Sequence, residues 1–247
     1  MILGKLRSWF FTIPLEWGVT AVMITTAVVT SVVAPGGRWQ RFLYRAWASM
    51  VLRIAGARVR VHHAGRLDPN ANYVVAANHL SLMDTPLMLG HLPIEFKFLA
   101  KRELLKPPFI GWYLRRGGHL TVDRGSLRSS LESMNECARL IRERKLSVLI
   151  FPEGTRGLGQ LQPFKDGAAY LAIQSGVPVA PVAIHGTEYV LPAKSSHFRA
   201  ADVDVIIGEP LPVTGLTLKD RGRLTAELHA KVSEMLAESR ARRKPAP

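Results

Sequence analysis

Two short stretches of this chain hold residue types that can move a proton and grip an anion. The first, Asn78-His79-Leu80-Ser81-Leu82-Met83-Asp84, follows a short apolar run at 73–77. A histidine, with a reference pKa of about 6.5, accepts a proton near neutrality. A carboxylate on one ring nitrogen fixes the tautomer and leaves the other nitrogen free. Five residues apart, His79 and Asp84 would point about 140° away from each other on a straight helix. They meet only if His79 sits in a turn and Asp84 opens the next helix, a start that Pro86 suits. The plain alternative is a turn histidine beside an aspartate that caps its helix, and spacing alone leaves both open.

The second stretch, Phe151-Pro152-Glu153-Gly154-Thr155-Arg156, follows another apolar run at 148–151. Gly154 lets backbone approach a ligand closely, while Thr155 and Arg156 supply donors for a phosphate-type oxyanion. Phe164, Lys165 and Gly167 can extend the same pocket; the alternative is a strand-to-loop turn with exposed charges. A third stretch, Gly118-His119-Leu120-Thr121-Val122-Asp123-Arg124, ends in a charged pair that as a surface contact is worth about 0–1 kcal/mol. There is no Gly-x-Ser-x-Gly elbow, Walker-type loop or Gly-x-Gly-x-x-Gly loop, which disfavours serine hydrolysis, nucleotide hydrolysis and dinucleotide binding. The remaining histidines, including the His62–His63 pair, show no metal-ligand spacing, and that pair reads as strand surface. Cys137, the single cysteine, falls in a helical run without a nearby histidine and reads as packing rather than a nucleophile.

Alternating elements must position these stretches. Strand-like runs are read at 58–62, 73–77, 95–99, 119–122, 147–151, 179–184 and 202–207. Helical runs are read at 85–92, 104–114, 127–144, 166–175 and 218–239. The alternation predicts an α/β fold, a mixed and mainly parallel sheet flanked by helices. In such folds, reactive groups collect where strands end and helices begin, and all three stretches follow strands. The 247 residues divide into N-terminal membrane-associated helices at 1–56, a main domain at 57–239 and a basic flexible tail at 240–247.

A formal charge of +14 calls for an anionic partner. No helix-turn-helix, zinc-finger or aromatic RNA-binding signature points to nucleic acid. The N-terminus points to lipid. Residues 17–37 carry no ionisable side chain, and the apolar part at 19–34 would form a helix about 24 Å long against a hydrocarbon core of about 30 Å. At 38–54 a helical wheel sets Arg38, Arg41, Arg45 and Arg53 opposite Trp39, Leu43, Trp47, Met50 and Ile54, the pattern of a helix lying in the lipid interface. Glu16 intrudes and no clear small-x-small site precedes that segment, so the N-terminus reads as retained rather than cleaved. The expectation is an N-terminal helical membrane anchor. It would hold the chain at the cytoplasmic face of the cell inner membrane, with an anionic membrane surface as partner.

In order along the chain, Asn78-His79 to Asp84, Gly118 to Arg124, Phe151 to Arg156 and Val177-Pro178-Val179-Ala180-Pro181-Val182 form a set. With Lys101-Arg102-Glu103-Leu104, Pro107 and Gly111 between them, the chain resembles the glycerolipid acyltransferase superfamily, most closely the bacterial 1-acylglycerol-3-phosphate acyltransferases. The resemblance implies that residues 57–239 form an acyltransferase catalytic domain with no cofactor. A lysophospholipid hydroxyl would attack the thioester of acyl-CoA or acyl-carrier protein directly. His79 would be the general base and Asp84 its orienting partner. Arg124, Glu153, Gly154, Thr155 and Arg156, with Lys101, would line the glycerol-phosphate site. Gly157 departs from the pattern, since close relatives often carry serine there. Two other readings are another acceptor, such as a lyso-ornithine lipid, and a basic lipid-binding protein without turnover.

Overall fold

The computed structural model describes residues 2–33, 37–157 and 159–243. Among them one sheet is formed by β1 (Ala57–His62), β2 (Val74–Ala77), β3 (Lys97–Lys101), β4 (Leu120–Val122), β5 (Val148–Ile150), β6 (Val179–His185) and β7 (Ala201–Ile207). Its order is β1-β7-β6-β2-β5-β3-β4, parallel at every pairing except β6 with β7. Every residue of the central β6, β2 and β5 is buried. That suits their Val-, Ile- and Ala-rich sequences, because parallel strands are covered on both faces.

The helices are α1 (Ile2–Arg7), α2 (Ile13–Val33), α3 (Gly37–Ala55), α4 (Asp84–His91), α5 (Pro108–Arg116), α6 (Leu127–Arg144), α7 (Gly167–Ser175), α8 (Thr187–Val190) and α9 (Arg221–Arg242), with a π-helical turn at Ser8–Thr12. Side chains alternate across a strand, so β2 splits its residues between two cores. Val75 and Ala77 join Val51 and Leu52 of α3 and Leu87 and Met88 of α4 on one face. Val74 and Ala76 join Cys137 and Ile141 of α6, Leu171 of α7 and Leu228 of α9 on the other. Full burial of each such Leu or Ile is worth about 1.5–3 kcal/mol. The Cys137 thiol, against the Thr121 carbonyl at 3.7 Å, is pushed by burial up to about 12, where it stays a thiol.

The mainly parallel α/β sheet matches the sequence expectation; the membrane anchor ahead of it does not. Among the described residues no helix is long and apolar enough to cross a membrane. Ala34, the end of the expected apolar stretch, lies outside the described residues. α2 carries Glu16 in its first turn, and its Thr25 and Thr26 hydroxyls donate to the Ala21 and Val22 carbonyls at 2.9 and 2.8 Å. In α3 the basic side chains are partly turned onto the main domain: Arg45 Nη2 donates to the Leu92 carbonyl at 3.1 Å, and Arg41 pairs with Glu95. Trp47 Nε1 donates to Thr20 Oγ1 of α2 at 3.1 Å. The face of α3 that packs is Ala48, Val51, Leu52 and Ala55, whereas Trp39 and Met50 of the expected apolar side are exposed. The assignment to the inner membrane through these helices is therefore corrected as well.

Smaller differences have local causes. The helix expected at 104–114 becomes a 3-10 turn, Arg102–Leu105, followed by α5, because Pro107 and Pro108 interrupt one helix and begin the next. The tail expected from 240 is still helical through Arg242, and Arg243 is held by Asp204 at 2.7 Å; residues 244–247 lie outside the described residues.

Candidate active site

Strands β2 and β5 are parallel neighbours, so the loops after them leave the same end of the sheet side by side. One carries His79, the other Glu153. Asn78 anchors the first loop: its Nδ2 donates to the Ile184 carbonyl at 2.9 Å, and its Oδ1 accepts the Ile184 N–H at 2.7 Å. The side chain thereby continues the β2–β6 ladder beyond the last strand residue, and the next residue is free to turn.

His79 occupies that turn and Asp84 opens α4. The geometry brings them together, with His79 Nδ1 2.7 Å from Asp84 Oδ2. The same oxygen accepts the Leu80 and Ser81 N–H groups at 2.6 and 2.9 Å. Asp84 is fully buried, while the His79 side chain remains 19% exposed. Phe151 lies flat against the imidazole, ring centres 4.2 Å apart and planes at 15°. The ring is thus fixed on one nitrogen and on its face. Nε2 makes no hydrogen bond to a described residue.

The second loop clamps the first through its backbone. Buried Glu153 accepts the His79 N–H on Oε1 at 2.6 Å and the Gln162 N–H on Oε2 at 3.0 Å. Burial pushes its carboxyl up from the ordinary range, against the pull of those two bonds. Gly157 N–H donates to the His79 carbonyl at 2.8 Å, and Lys165 N–H to the Pro152 carbonyl at 2.9 Å. A Cβ at Gly157 would stand 2.6 Å from the Gln160 carbonyl oxygen and 3.3 Å from Glu153 Oε2. This crowding is a physical reason for glycine at the position where the family pattern has serine.

The cations gather around Gly154, whose φ of +75° favours glycine. Arg124 Nη1, from the loop after β4, donates to the Gly154 carbonyl at 3.3 Å. Lys165 Nζ would lie 3.1 Å from a Cβ added at Gly154, and Arg124 Nη1 3.6 Å from it. Thr155 and Arg156 are exposed on the same loop. Lys101, at the end of β3, is paired with Glu103 at 3.0 Å. Arg102 reaches Asp123 Oδ2 at 3.0 Å and Ser133 Oγ at 3.3 Å, so the charged pair after β4 is split: Asp123 faces Arg102 while Arg124 turns to Gly154. A cleft of about 350 Å³ between β4 and α6, lined by Arg102, His119, Glu132 and Cys137, includes none of the residues around His79.

One contact lies beyond anything read from the sequence: Thr187 Oγ1, from α8, donates to Asp84 Oδ1 at 2.6 Å. The ordered blocks stop at Val182, and nothing in residue spacing brings Thr187 to Asp84. Among the described residues no group of three or more His, Cys, Asp or Glu side chains is arranged to hold a metal ion.

Comparison with known proteins gives one answer. A family model described as Acyltransferase matches residues 58–185. A 1-acyl-sn-glycerol-3-phosphate acyltransferase of Chlamydomonas reinhardtii is 31% identical over 86% of this chain and 65% of its own length. The human 1-acyl-sn-glycerol-3-phosphate acyltransferase alpha is 34% identical over 67% of this chain and 59% of its own. The chain thus spans less than two thirds of these curated relatives. The crystal structure of the 1-acyl-sn-glycerophosphate (LPA) acyltransferase PlsC from Thermotoga maritima superposes with a TM-score of 0.82 at 27% identity, covering 98% of this chain and 99% of that one. With the family model matching more than half of its residues, and those relatives alongside, the chain belongs to the acyltransferase family.

Proposed function

We propose that the protein transfers a fatty acyl group from acyl-CoA or acyl-carrier protein to the free hydroxyl of 1-acylglycerol-3-phosphate, giving phosphatidic acid. The observation that carries this reading is the His79–Asp84 pair, with Nδ1 bound at 2.7 Å and Nε2 left for the acceptor. As the hydroxyl oxygen attacks the thioester carbonyl, Nε2 takes its proton and the buried Asp84 carboxylate balances the imidazolium. Collapse of the tetrahedral intermediate breaks the C–S bond, forms the ester and returns the proton from Nε2 to the leaving thiolate.

The acceptor's phosphate is drawn to Arg124, Arg156 and Lys165 around Gly154, with Thr155 as a hydroxyl donor and Lys101 at the margin. Glu153 acts from behind, holding the His79 backbone rather than meeting substrate. The relatives' names point to the same acceptor. The charge of +14 favours an anionic lipid surface as the acceptor's source, and an acidic carrier as donor. The test is a competition among acceptors under one acyl donor, followed by mass spectrometry. A site that reads a phosphomonoester converts 1-acylglycerol-3-phosphate ahead of lysophosphatidylcholine and a lyso-ornithine lipid. Preference for either of the others keeps the acyl transfer and overturns this acceptor.

A further inference from the structure

Asp84 is completely buried, and its two oxygens are occupied very unequally. Oδ2 takes the His79 ring and two backbone N–H groups, whereas the one hydrogen bond to Oδ1 among the described residues is from the Thr187 hydroxyl, at 2.6 Å across 103 residues of sequence. Thr187 is itself fully buried and follows Gly186, whose φ of +104° makes the tight turn out of β6. Contacts on both sides hold the two segments in register. Asn78 exchanges its pair of bonds with Ile184 before the contact, and Ser81 Oγ donates to the Leu191 carbonyl at 2.7 Å after it. The hydroxyl is thus delivered to Asp84 by a segment that is separately tied to the loop it serves.

We propose that Thr187 is a positioning residue of the acyl transfer, setting the rotation of the Asp84 carboxylate and through it the tautomer and aim of His79. This rests on His79 acting as the base. The final torsion of an aspartate side chain is soft, so a donor on the second oxygen fixes the plane in which the first can receive the ring N–H. Without the hydroxyl, Oδ1 is a buried oxygen without its donor, and the carboxylate rotates or draws in other donors. The charged groups facing it are His79, Glu153 from the loop after β5, and Glu188 one residue along α8; Arg243, bound to Asp204, acts on Glu188. Neither glutamate can replace the lost donor while ionised.

The test is steady-state kinetics of Thr187→Val and Thr187→Ser across pH, with melting temperatures recorded and His79→Ala alongside. Thr187→Val keeps the shape and removes the hydroxyl. Its kcat is expected to fall on the order of 10- to 100-fold, the scale of a small misplacement of a reacting group. The KM for the lysolipid stays put, and the acid limb of kcat/KM moves to higher pH as uncompensated carboxylate charge holds the proton on His79. Thr187→Ser restores both. If Thr187→Val does not fold, Thr187→Cys, with similar volume and a weak donor, serves for the same comparison. Wild-type kcat and an unmoved pH profile without the hydroxyl, beside a dead His79→Ala, would overturn the role of Thr187 alone. Full activity in His79→Ala would overturn the base and this inference with it.

Discussion

At the scale of single residues, the site is a set of side chains whose polar atoms are mostly committed before any substrate arrives. Glu153 shows this best, since each of its oxygens accepts one backbone N–H, from His79 and from Gln162. Glu153→Gln would set an NH₂ against one of those donors in either orientation. The expected result is a loss of about 1–3 kcal/mol of stability and at least a tenfold fall in kcat with little change in the lysolipid KM. A large rise in KM at unchanged kcat would instead place Glu153 against substrate. The His79–Asp84 contact was legible in the sequence as a condition, a turn followed at once by a helix start, and Pro86 marked where that start would fall. The inward duty of Glu153 was not legible, because it depends on how the 152–165 loop closes. Thr187 was hidden more deeply, since its partner comes through the sheet rather than along the chain.

At the scale of elements, the buried central strands follow from runs of Val, Ile and Ala, and helix α6 from a cap. Helix α6 is capped by Ser126 through a reciprocal capping box with Ser129 and spans the helical run read at 127–144. The N-terminal helices were misread for a physical reason. A wheel shows which residues share a side but not what that side meets, and two of the arginines of α3 found acceptors on the main domain. The loop after β5 gives a sharper test of local packing. Gly157→Ser introduces a side chain whose Cβ would press on the Gln160 carbonyl oxygen, a backbone atom. We expect a loss of about 1–3 kcal/mol and lower kcat through the Gly157–His79 hydrogen bond; an unchanged melting temperature would show that the loop relaxes freely.

At the scale of the whole molecule, buried and half-buried titratable groups pull the pH dependence of stability in opposite directions. Burial first, then neighbouring cations, holds His119 and His185 down to about 4, so each favours folding above its unfolded pKa and loses that contribution as pH falls toward 4. Glu16 of α2 does the reverse. Burial raises its carboxyl to about 7 and Oε1 has no hydrogen-bond partner among the described residues, so its contribution is present at acid pH and lost as pH rises through 7. Glu16→Gln should therefore leave stability near pH 4 unchanged and raise the melting temperature at pH 8 by a few degrees, at about 2–4 °C per kcal/mol for a chain of this size. A lower melting temperature at pH 8 would mean that the carboxylate has a partner in the folded chain. The proton transfer proposed for His79 is most directly tested by giving purified wild type and His79→Ala an acyl donor with 1-acylglycerol-3-phosphate and measuring phosphatidic acid. The account predicts product from wild type and a loss on the order of 10²- to 10⁴-fold in kcat for the variant, with acceptor binding retained. Wild-type turnover in His79→Ala would contradict it.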